Sequence, residues 1–354
     1  MHSLTSDFLS TLRYDGRQVA TLRALGEYRG KQQLFATQSQ EILSDLKQIA
    51  MMESTESSSR LEGIVIAPGR LKSLVIKNSE PKSTSEQKLA GYRDALTLIY
   101  KAAPDMPFSE CVIPKLHSML CGHTQRDGSH WIASNNDILD HHLDNCLRNH
   151  FQPTASYLSS MAMMDMVSRY RNAVDQNLAD PLVLVPLSIL DFLCIQPLPD
   201  GNGRVSRLLT QLLLYQFDYS VGRLISLERI FERSQESYYK SLEASSHGWH
   251  EGKHNVQPWL DYFWGALLSA YKELEEHVGN IDCRYGGKSA RVRTEALKRS
   301  APFSISEIEE ACPGVSRDTV RLVLRSLKAA VLIESTGKGR SAKWKKINHP
   351  HFSP

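Results

Sequence analysis

Apolar residues recur at helical spacing through most of residues 19–280, as in Tyr157, Met161, Met164 and Val167, or Leu208, Leu212 and Tyr215. A period sustained over that much chain predicts an all-α helical bundle. One of its helices, Val183 to Ile195, reads as buried, and another, Arg204 to Gln216, follows it across one short loop. The pattern lapses at Ala67-Pro68-Gly69, at Asn78-Ser79-Glu80-Pro81-Lys82-Ser83 and at Gly286-Gly287, where turn formers replace apolar residues. One stretch differs from the rest. Gly128 to Ile138 places turn residues around a short β-like run, and predicts a small hairpin between helices. The chain shows no internal repeat.

Beyond Gly287 the alternation changes. Ser304 to Ala311 predicts a short helix, Cys312-Pro313-Gly314 a turn, and Ser316 to Ala329 a second helix capped by Ser316 with Asp318 in its first turn. Val331-Leu332-Ile333 and Ala342-Lys343-Trp344 then read as two strands joined across Gly337-Lys338-Gly339-Arg340. Helix, turn, helix and basic hairpin is the order of a winged helix.

Charge sharpens this division. The chain carries 42 Lys+Arg and 39 Asp+Glu, a net charge of +3. From Arg284 to Pro354 there are 15 basic and 6 acidic residues, net +9, which leaves 27 against 33, net −6, for residues 1–283. The two parts are expected to meet different partners. At 354 residues, 41% of them apolar and 23% charged, the composition is that of a multidomain globular protein. The longest apolar run, Leu182 to Ile195, is too short to span a bilayer, and the N-terminus lacks a basic-then-apolar signal segment. A cytoplasmic location without membrane contact is expected. Six cysteines form no Cys-x-x-Cys pair, and reduced thiols are expected.

The sharpest local signal is Pro199-Asp200-Gly201-Asn202-Gly203-Arg204-Val205-Ser206-Arg207. Glycines flanking Asn202 let the backbone turn tightly and aim amides at one point ahead of a helix N-terminus, the geometry of an anion nest. Arg204 and Arg207, three apart, share a face of the first turn and offer guanidinium forks to phosphate oxygens. Asp200 adds a hard oxygen ligand for Mg²⁺. Gly-x-Gly alone is common in turns; the added Asp, Asn and two Arg make this one specific.

Gln196-Pro197-Leu198-Pro199-Asp200-Gly201-Asn202-Gly203-Arg204-Val205-Ser206-Arg207 resembles the signature of the Fic (Fido) family, His-Pro-Phe-x-Asp/Glu-Gly-Asn-Gly-Arg-x-x-Arg. The likeness extends over much of residues 40–270. Leu116-His117 leads toward the hairpin at 128–138, which resembles the family's target-docking flap, while Tyr238-Tyr239, Leu242 and Trp259 resemble its C-terminal helices. The resemblance implies an α-helical Fic-type bundle with a hairpin flap, and transfer of AMP from ATP to a Ser, Thr or Tyr hydroxyl of a protein docked at that flap. It further implies that Asp200 holds Mg²⁺, that Asn202 contacts the α-phosphate, that the amides of Gly201 and Gly203 line the anion hole, and that Arg204 and Arg207 hold the outer phosphates.

Two departures and one further motif bear on activity. Gln196 stands where the family has His, the general base. An amide cannot accept a proton near neutral pH, so transfer is expected to be weak or absent unless another group substitutes. His130 in the flap is a candidate substitute, set against its reading as a solvent-facing residue. Leu198 replaces the family's Phe at a packing position. Upstream, Ser58-Ser59-Arg60-Leu61-Glu62-Gly63 resembles the family's inhibitory motif, Ser/Thr-x-x-x-Glu-Gly/Asn. Ser58 and Glu62 lie four apart on one helical face and Gly63 is a natural C-cap. The resemblance implies that Glu62 pairs with Arg207 and blocks the γ-phosphate position; by itself the segment reads only as a helix end.

Two weaker signals remain. His247, His250 and His254 are spaced like metal ligands, but Gly248, Gly252 and Lys253 intervene and the segment reads as a polar loop. Arg317, Arg321 and Arg325 line one face of the second tail helix, with Lys338, Arg340 and Lys343 in the wing. That surface reads either as a DNA-contacting face spanning 304–347 or as a solvated face of a packing module.

The resulting expectation is an N-terminal helical region with the inhibitory helix over 1–80, a Fic-like nucleotide-binding domain over 81–284 and a winged helix over 285–354. ATP and Mg²⁺ are the expected ligands, with oligomeric state left open. The function expected is that of an autoinhibited relative of protein adenylyltransferases; the alternative is a catalytically inactive nucleotide sensor acting through its winged helix on DNA or protein.

Overall fold

The computed structural model describes residues 3–35, 40–67, 69–124, 131, 154–281, 287–299, 301–329, 332–336 and 343–346. The chain divides into two compact units, Met1–Leu274 and Glu275–Pro354. Apart from Trp131, the expected hairpin at 128–138, with His130, lies outside the described residues, as do the wing residues Lys338 and Arg340.

Among its described residues the first unit contains helices and no strand. These helices are α1 (Ser6–Thr11), α2 (Gly16–Phe35), α3 (Gln40–Arg60), α4 (Arg70–Val75), α5 (Thr84–Ala102), α6 (Val112–Cys121), α7 (Ser159–Asp175), α8 (Pro181–Ile195), α9 (Asn202–Gln216), α10 (Leu227–Arg233), α11 (Gln235–Ser246) and α12 (Gln257–Ile281), the last of which runs on past Leu274 into the second unit. Among the described residues no helix is long and apolar enough to cross a membrane.

α8 and α9 form the centre. α8 starts two residues before the apolar periodicity does, because Asp180 caps the Leu182 amide (2.8 Å) and Pro181 occupies the first helical position, where a missing N–H is harmless. Every residue from Leu182 to Ile195 is buried, including Pro186 inside the helix. That proline cannot donate to the Leu182 carbonyl. The Trp264 indole does so instead, at 2.7 Å, and Trp259 donates to the Pro186 carbonyl at 2.8 Å. Two α12 tryptophans thus satisfy backbone carbonyls at the interruption while filling the core.

α8 also carries Asp191, fully enclosed. The Ser3 hydroxyl and the Trp249 indole both donate to its Oδ1, while Oδ2 has no partner. Burial raises its pKa from 3.8 to about 6, against the opposing hydrogen bonds from Ser3 and Trp249. The folded chain therefore holds this proton more tightly than the unfolded chain. The contribution of Asp191 to stability is greatest below pH 3.8, falls as pH rises through about 6, and is level above. For a shift of that size, the difference in unfolding free energy between wild type and Asp191→Asn should change by about 3 kcal/mol between roughly pH 4 and pH 7. Denaturant titrations at several pH values measure it; an unchanged difference would count against a raised Asp191.

α6 lies against α5 at backbone distance. A Cβ on Gly91 would sit 2.4 Å from the Leu120 carbonyl oxygen and 2.8 Å from that of Met119, so glycine is required for the approach. This contact seats the C-terminal turn of α6.

α3 ends in a Schellman turn. Gly63, at φ 70°, donates to Arg60 O (2.8 Å), and Ile64 donates to Ser59 O (2.9 Å). Ser58 is therefore in the last helical turn and Glu62 is in the cap beyond it, one step off the regular helical face the spacing predicts.

The second unit has its own core of Val292, Phe303, Ile308, Val320, Leu324 and Ile333, among others. It contains α13 (Gly287–Lys298), α14 (Ile305–Ala311), α15 (Arg317–Ala329) and an antiparallel pair, β1 (Ile333–Thr336) and β2 (Lys343–Lys346). Ser304 and Glu307 close a capping box on α14. β1 begins after Leu332, later than the sequence pattern indicates, while Val331 and Ala342, where the two strands were expected to start, lie outside the described residues. Leu332 N still donates to Leu327 O (3.0 Å), so the end of α15 holds the chain until Ile333. Trp344 extends the pairing through reciprocal bonds with Phe303 (2.7 and 2.8 Å). The arginine stripe is partly engaged, Arg317 with Glu309 (2.9 Å) and Arg321 with Asp318 (3.3 Å), while Arg325 is exposed.

Candidate functional site

The loop from Gln196 to Gly201 joins two buried helices, so its shape is imposed from both ends. Gln196 closes α8 in the left-handed region (φ 48°, ψ 62°), donating its amide to Phe192 O (3.0 Å). Its side chain is buried and Nε2 has no hydrogen-bond partner. Leu198 is buried as a packing residue.

Asn202 locks the loop. Its Oδ1 accepts from Leu198 N (3.1 Å) and its Nδ2 donates to Leu198 O (2.8 Å), so the carboxamide is engaged with backbone. Gly201, just before Asn202 and at φ 74°, is the N-cap of α9 and provides no side-chain cap. The helix consequently opens at Asn202, two residues before the pattern indicates, and its first-turn amides face the loop without a capping oxygen. A Cβ on Gly201 would lie 3.0 Å from Arg204 Nη2, so the glycine keeps this space clear.

Asp200 sits at the mouth of the turn. Its Oδ2 is 4.0 Å from Arg204 Nη2 and its Oδ1 is 3.3 Å from His117 Nε2 on α6. Burial opposes charge on both partners of the His117 pair. The His117 hydrogen bond nevertheless holds the Asp200 carboxyl well below its usual range. The Asp200 and Cys121 contacts in turn raise His117 from 6.5 to about 9. Arg204 is buried, with its Nη1 unpartnered.

Arg207 points to the other side. Its Nε donates to Ser58 Oγ (2.9 Å) and its Nη2 to both Ser58 O (2.9 Å) and Glu62 Oε1 (2.6 Å). Arg207 is 1% exposed and Glu62 5%. Burial alone would weaken the guanidinium charge, but the Glu62 carboxylate outweighs it and pushes the Arg207 pKa up. The Tyr239 hydroxyl donates to Leu61 O (3.2 Å), and Arg60 grips Glu232 through two bonds (2.5 and 3.0 Å), so the turn carrying Glu62 is held on both sides. Tyr238, Tyr239, Leu242 and Trp259 are buried behind it.

The fold therefore gathers Gln196, Asp200, Gly201, Asn202, Gly203, Arg204, Arg207, Ser58 and Glu62 at one end of α9. His254 goes elsewhere, bonding Ser3 (2.9 Å) and stacking on Phe8. Among the described residues, His247, His250 and His254 form no metal-ligand group. A pairing that motif reading missed is that of His117 and Cys121 with Asp200. Its signal was available only locally, as a His and a Cys four apart on one helix; the third member is 79 residues further along the chain.

Chemically, the site offers an uncapped helix terminus, an enclosed guanidinium with one unpartnered nitrogen, and an oxygen ligand. Gln196 offers hydrogen bonds but no basic atom.

Residues 107–214 match the profile of the Fic/DOC family. No curated protein matches the chain. Among solved structures, a Fic family protein from Desulfovibrio desulfuricans G20 is similar, with 18% identity and a TM-score of 0.59 over 96% of this chain and 98% of the other. A Fic domain containing signaling protein from Bacteroides thetaiotaomicron VPI-5482 has 17% identity and a TM-score of 0.59, covering 73% of this chain and 98% of the other. Fic-1 from C. elegans has 17% identity and a TM-score of 0.55, covering 73% of this chain and 71% of the other. The fold is accordingly the all-α Fic type.

Proposed function

From a Fic-type fold whose matching segment contains the Asp200–Arg207 loop, we propose that this protein binds ATP with Mg²⁺ at that loop. We further propose that it is related to the protein adenylyltransferases, restrained by Glu62 and impaired by Gln196. The observation that carries the reading is the fully enclosed Arg207–Glu62 pair, 2.6 Å long, at the end of a helix whose first turn is left open for an anion. The donor set fits a nucleotide: first-turn amides and Arg204 suit phosphate oxygens, and Asp200 suits a hard cation. Bound Mg²⁺ would supply charge neutralisation for those phosphates. Asn202 holds the loop through Leu198, and Gly201 leaves room for a phosphate to approach.

Transfer would join a target hydroxyl oxygen to the α-phosphorus and release pyrophosphate, and the hydroxyl proton needs an acceptor. Gln196 can orient that hydroxyl without taking the proton. This favours a second reading, in which the chain senses nucleotide and answers through a winged helix formed by its basic second unit. The helix–helix–helix–hairpin order there supports the winged-helix part, while the engagement of Arg317 and Arg321 with acidic neighbours weighs against a strongly phosphate-seeking face.

Calorimetry with ATP and Mg²⁺ tests the site. Arg204→Ala should weaken binding by roughly 10- to 100-fold, the equivalent of a charge-assisted hydrogen bond of about 1.5–3 kcal/mol. Asn202→Ala should weaken it through loss of loop shape. Unchanged affinity in both variants would overturn the assignment.

A further inference from the structure

His117, Cys121 and Asp200 are all buried, and one ligand atom from each lies within 4.8 Å of the other two. His117 Nε2 is 3.3 Å from Asp200 Oδ1 and 3.7 Å from Cys121 Sγ. We propose that these three side chains form a binding site for a divalent ion of the zinc class.

The two edges that meet at His117 are close to those that tetrahedral coordination requires, and the Asp200–Cys121 edge lies within 4.8 Å. Zinc bonds of about 2.0 Å to nitrogen or oxygen and about 2.3 Å to sulfur, at tetrahedral angles, separate the ligand atoms by roughly 3.3–3.6 Å. The N–O edge already matches and the N–S edge is within a tenth or two of an ångström. His117 and Cys121 are four apart on α6 and so face the same way; Gly91 fixes that helix against α5, and the locked loop fixes Asp200. The ligands are thus positioned by the fold before any ion arrives.

Ligand chemistry selects the metal. A thiolate and an imidazole are poor partners for Mg²⁺, which demands oxygen, but good ones for Zn²⁺ or Co²⁺. Uptake displaces the Cys121 thiol proton and the proton shared by His117 and Asp200 to solvent, so two positive charges leave as two arrive. Asp200 Oδ2 remains beside Arg204, which supports the carboxylate from outside the coordination sphere. The inference does not rest on nucleotide binding. The two would compete for Asp200, so zinc occupancy is expected to oppose any Mg²⁺-dependent use of that residue.

The test titrates the full-length, nucleotide-free chain with Co²⁺ and reads thiolate-to-cobalt charge transfer in the near ultraviolet. One equivalent should produce the band, millimolar Mg²⁺ should leave it, and Zn²⁺ should abolish it by displacement. Cys121→Ser should remove the band, Cys111→Ser should keep it, and Asp200→Asn should weaken cobalt affinity at least tenfold while the thiolate band persists at saturation. Independently, Zn²⁺ should raise the thermal midpoint of the wild type, a chelator should reverse this, and His117→Gln should lose the rise. No band at stoichiometric cobalt, or a band that survives Cys121→Ser, would refute the site. Should Cys121→Ser not fold, a zinc-dependent midpoint that is the same in Asp200→Asn and His117→Gln as in wild type would refute it equally.

Discussion

The chain carrying Gln196→His together with Glu62→Gly should transfer AMP from labelled ATP to itself or to a target about 10² to 10⁴ times faster than Glu62→Gly alone, the range a positioned general base contributes. The backbone permits this exchange. Position 196 lies in the left-handed region, where His is among the residues found more readily than most non-glycine types. The side chain is buried at the head of a loop already held by Asn202. Gln196 Nε2 lacks a partner, so the substitution breaks no side-chain bond at that atom. Wild type should label little or not at all. Strong labelling by the wild type would require a different base. Silence of the double variant despite measured ATP binding would favour the sensor reading.

The second large effect concerns Arg207. Removing one member of a buried ion pair leaves the other uncompensated, at about 3–5 kcal/mol. Glu62→Gly should therefore lower the unfolding free energy of the nucleotide-free chain, measured by denaturant titration, by an amount in that range, lessened to the extent that Ser58 keeps its two bonds to the guanidinium. ATP with Mg²⁺ should recover most of the loss, because outer phosphates can take the place of the carboxylate, and affinity for ATP should rise. The paired replacement Glu62→Leu with Arg207→Met should be far milder than either single change, since neither charge is then stranded. Matching losses in the single and paired variants would show that the segment matters only for packing.

Much of this was legible in the chain before any coordinates. The stripe of Leu208, Leu212 and Tyr215 is buried as its spacing suggests and α8 stood out because burial there is complete from Leu182 to Ile195, whereas Tyr157, Met161 and Met164 of the other stripe are exposed and only Val167 is buried. The Asp200–Arg207 segment was legible as a tight turn into a helix because glycines flank Asn202 ahead of an apolar period. Ser58 and Glu62 were legible as partners for Arg207 only through a family resemblance, since the 149 residues separating Ser58 from Arg207 leave no local trace. Tertiary contacts decided the rest. Pro186 would argue against a continuous helix, and it is the Trp264 indole that makes the helix tenable. The first tail strand starts only at Ile333 because α15 retains the chain through Leu332. The ion pairs at Arg317 and Arg321 depend on where Glu309 and Asp318 fall in space.

The enclosure of Arg207 has a kinetic meaning. A guanidinium with 1% of its surface exposed cannot be reached by a phosphate while the turn after α3 is in place. On the proposed reading, full engagement of ATP must wait for that turn to open, so the observed binding rate should climb with ATP concentration and then level off at the opening rate. The apparent dissociation constant is correspondingly the intrinsic one divided by the fraction of molecules open. Glu62→Gly would raise the plateau, because it removes the bond that must break. Arg204→Ala would leave the plateau where it is and shift only the concentration needed to reach it. The strength of the bonds holding one helix end would then act as a timer on nucleotide capture, separable from the affinity of the loop that does the capturing.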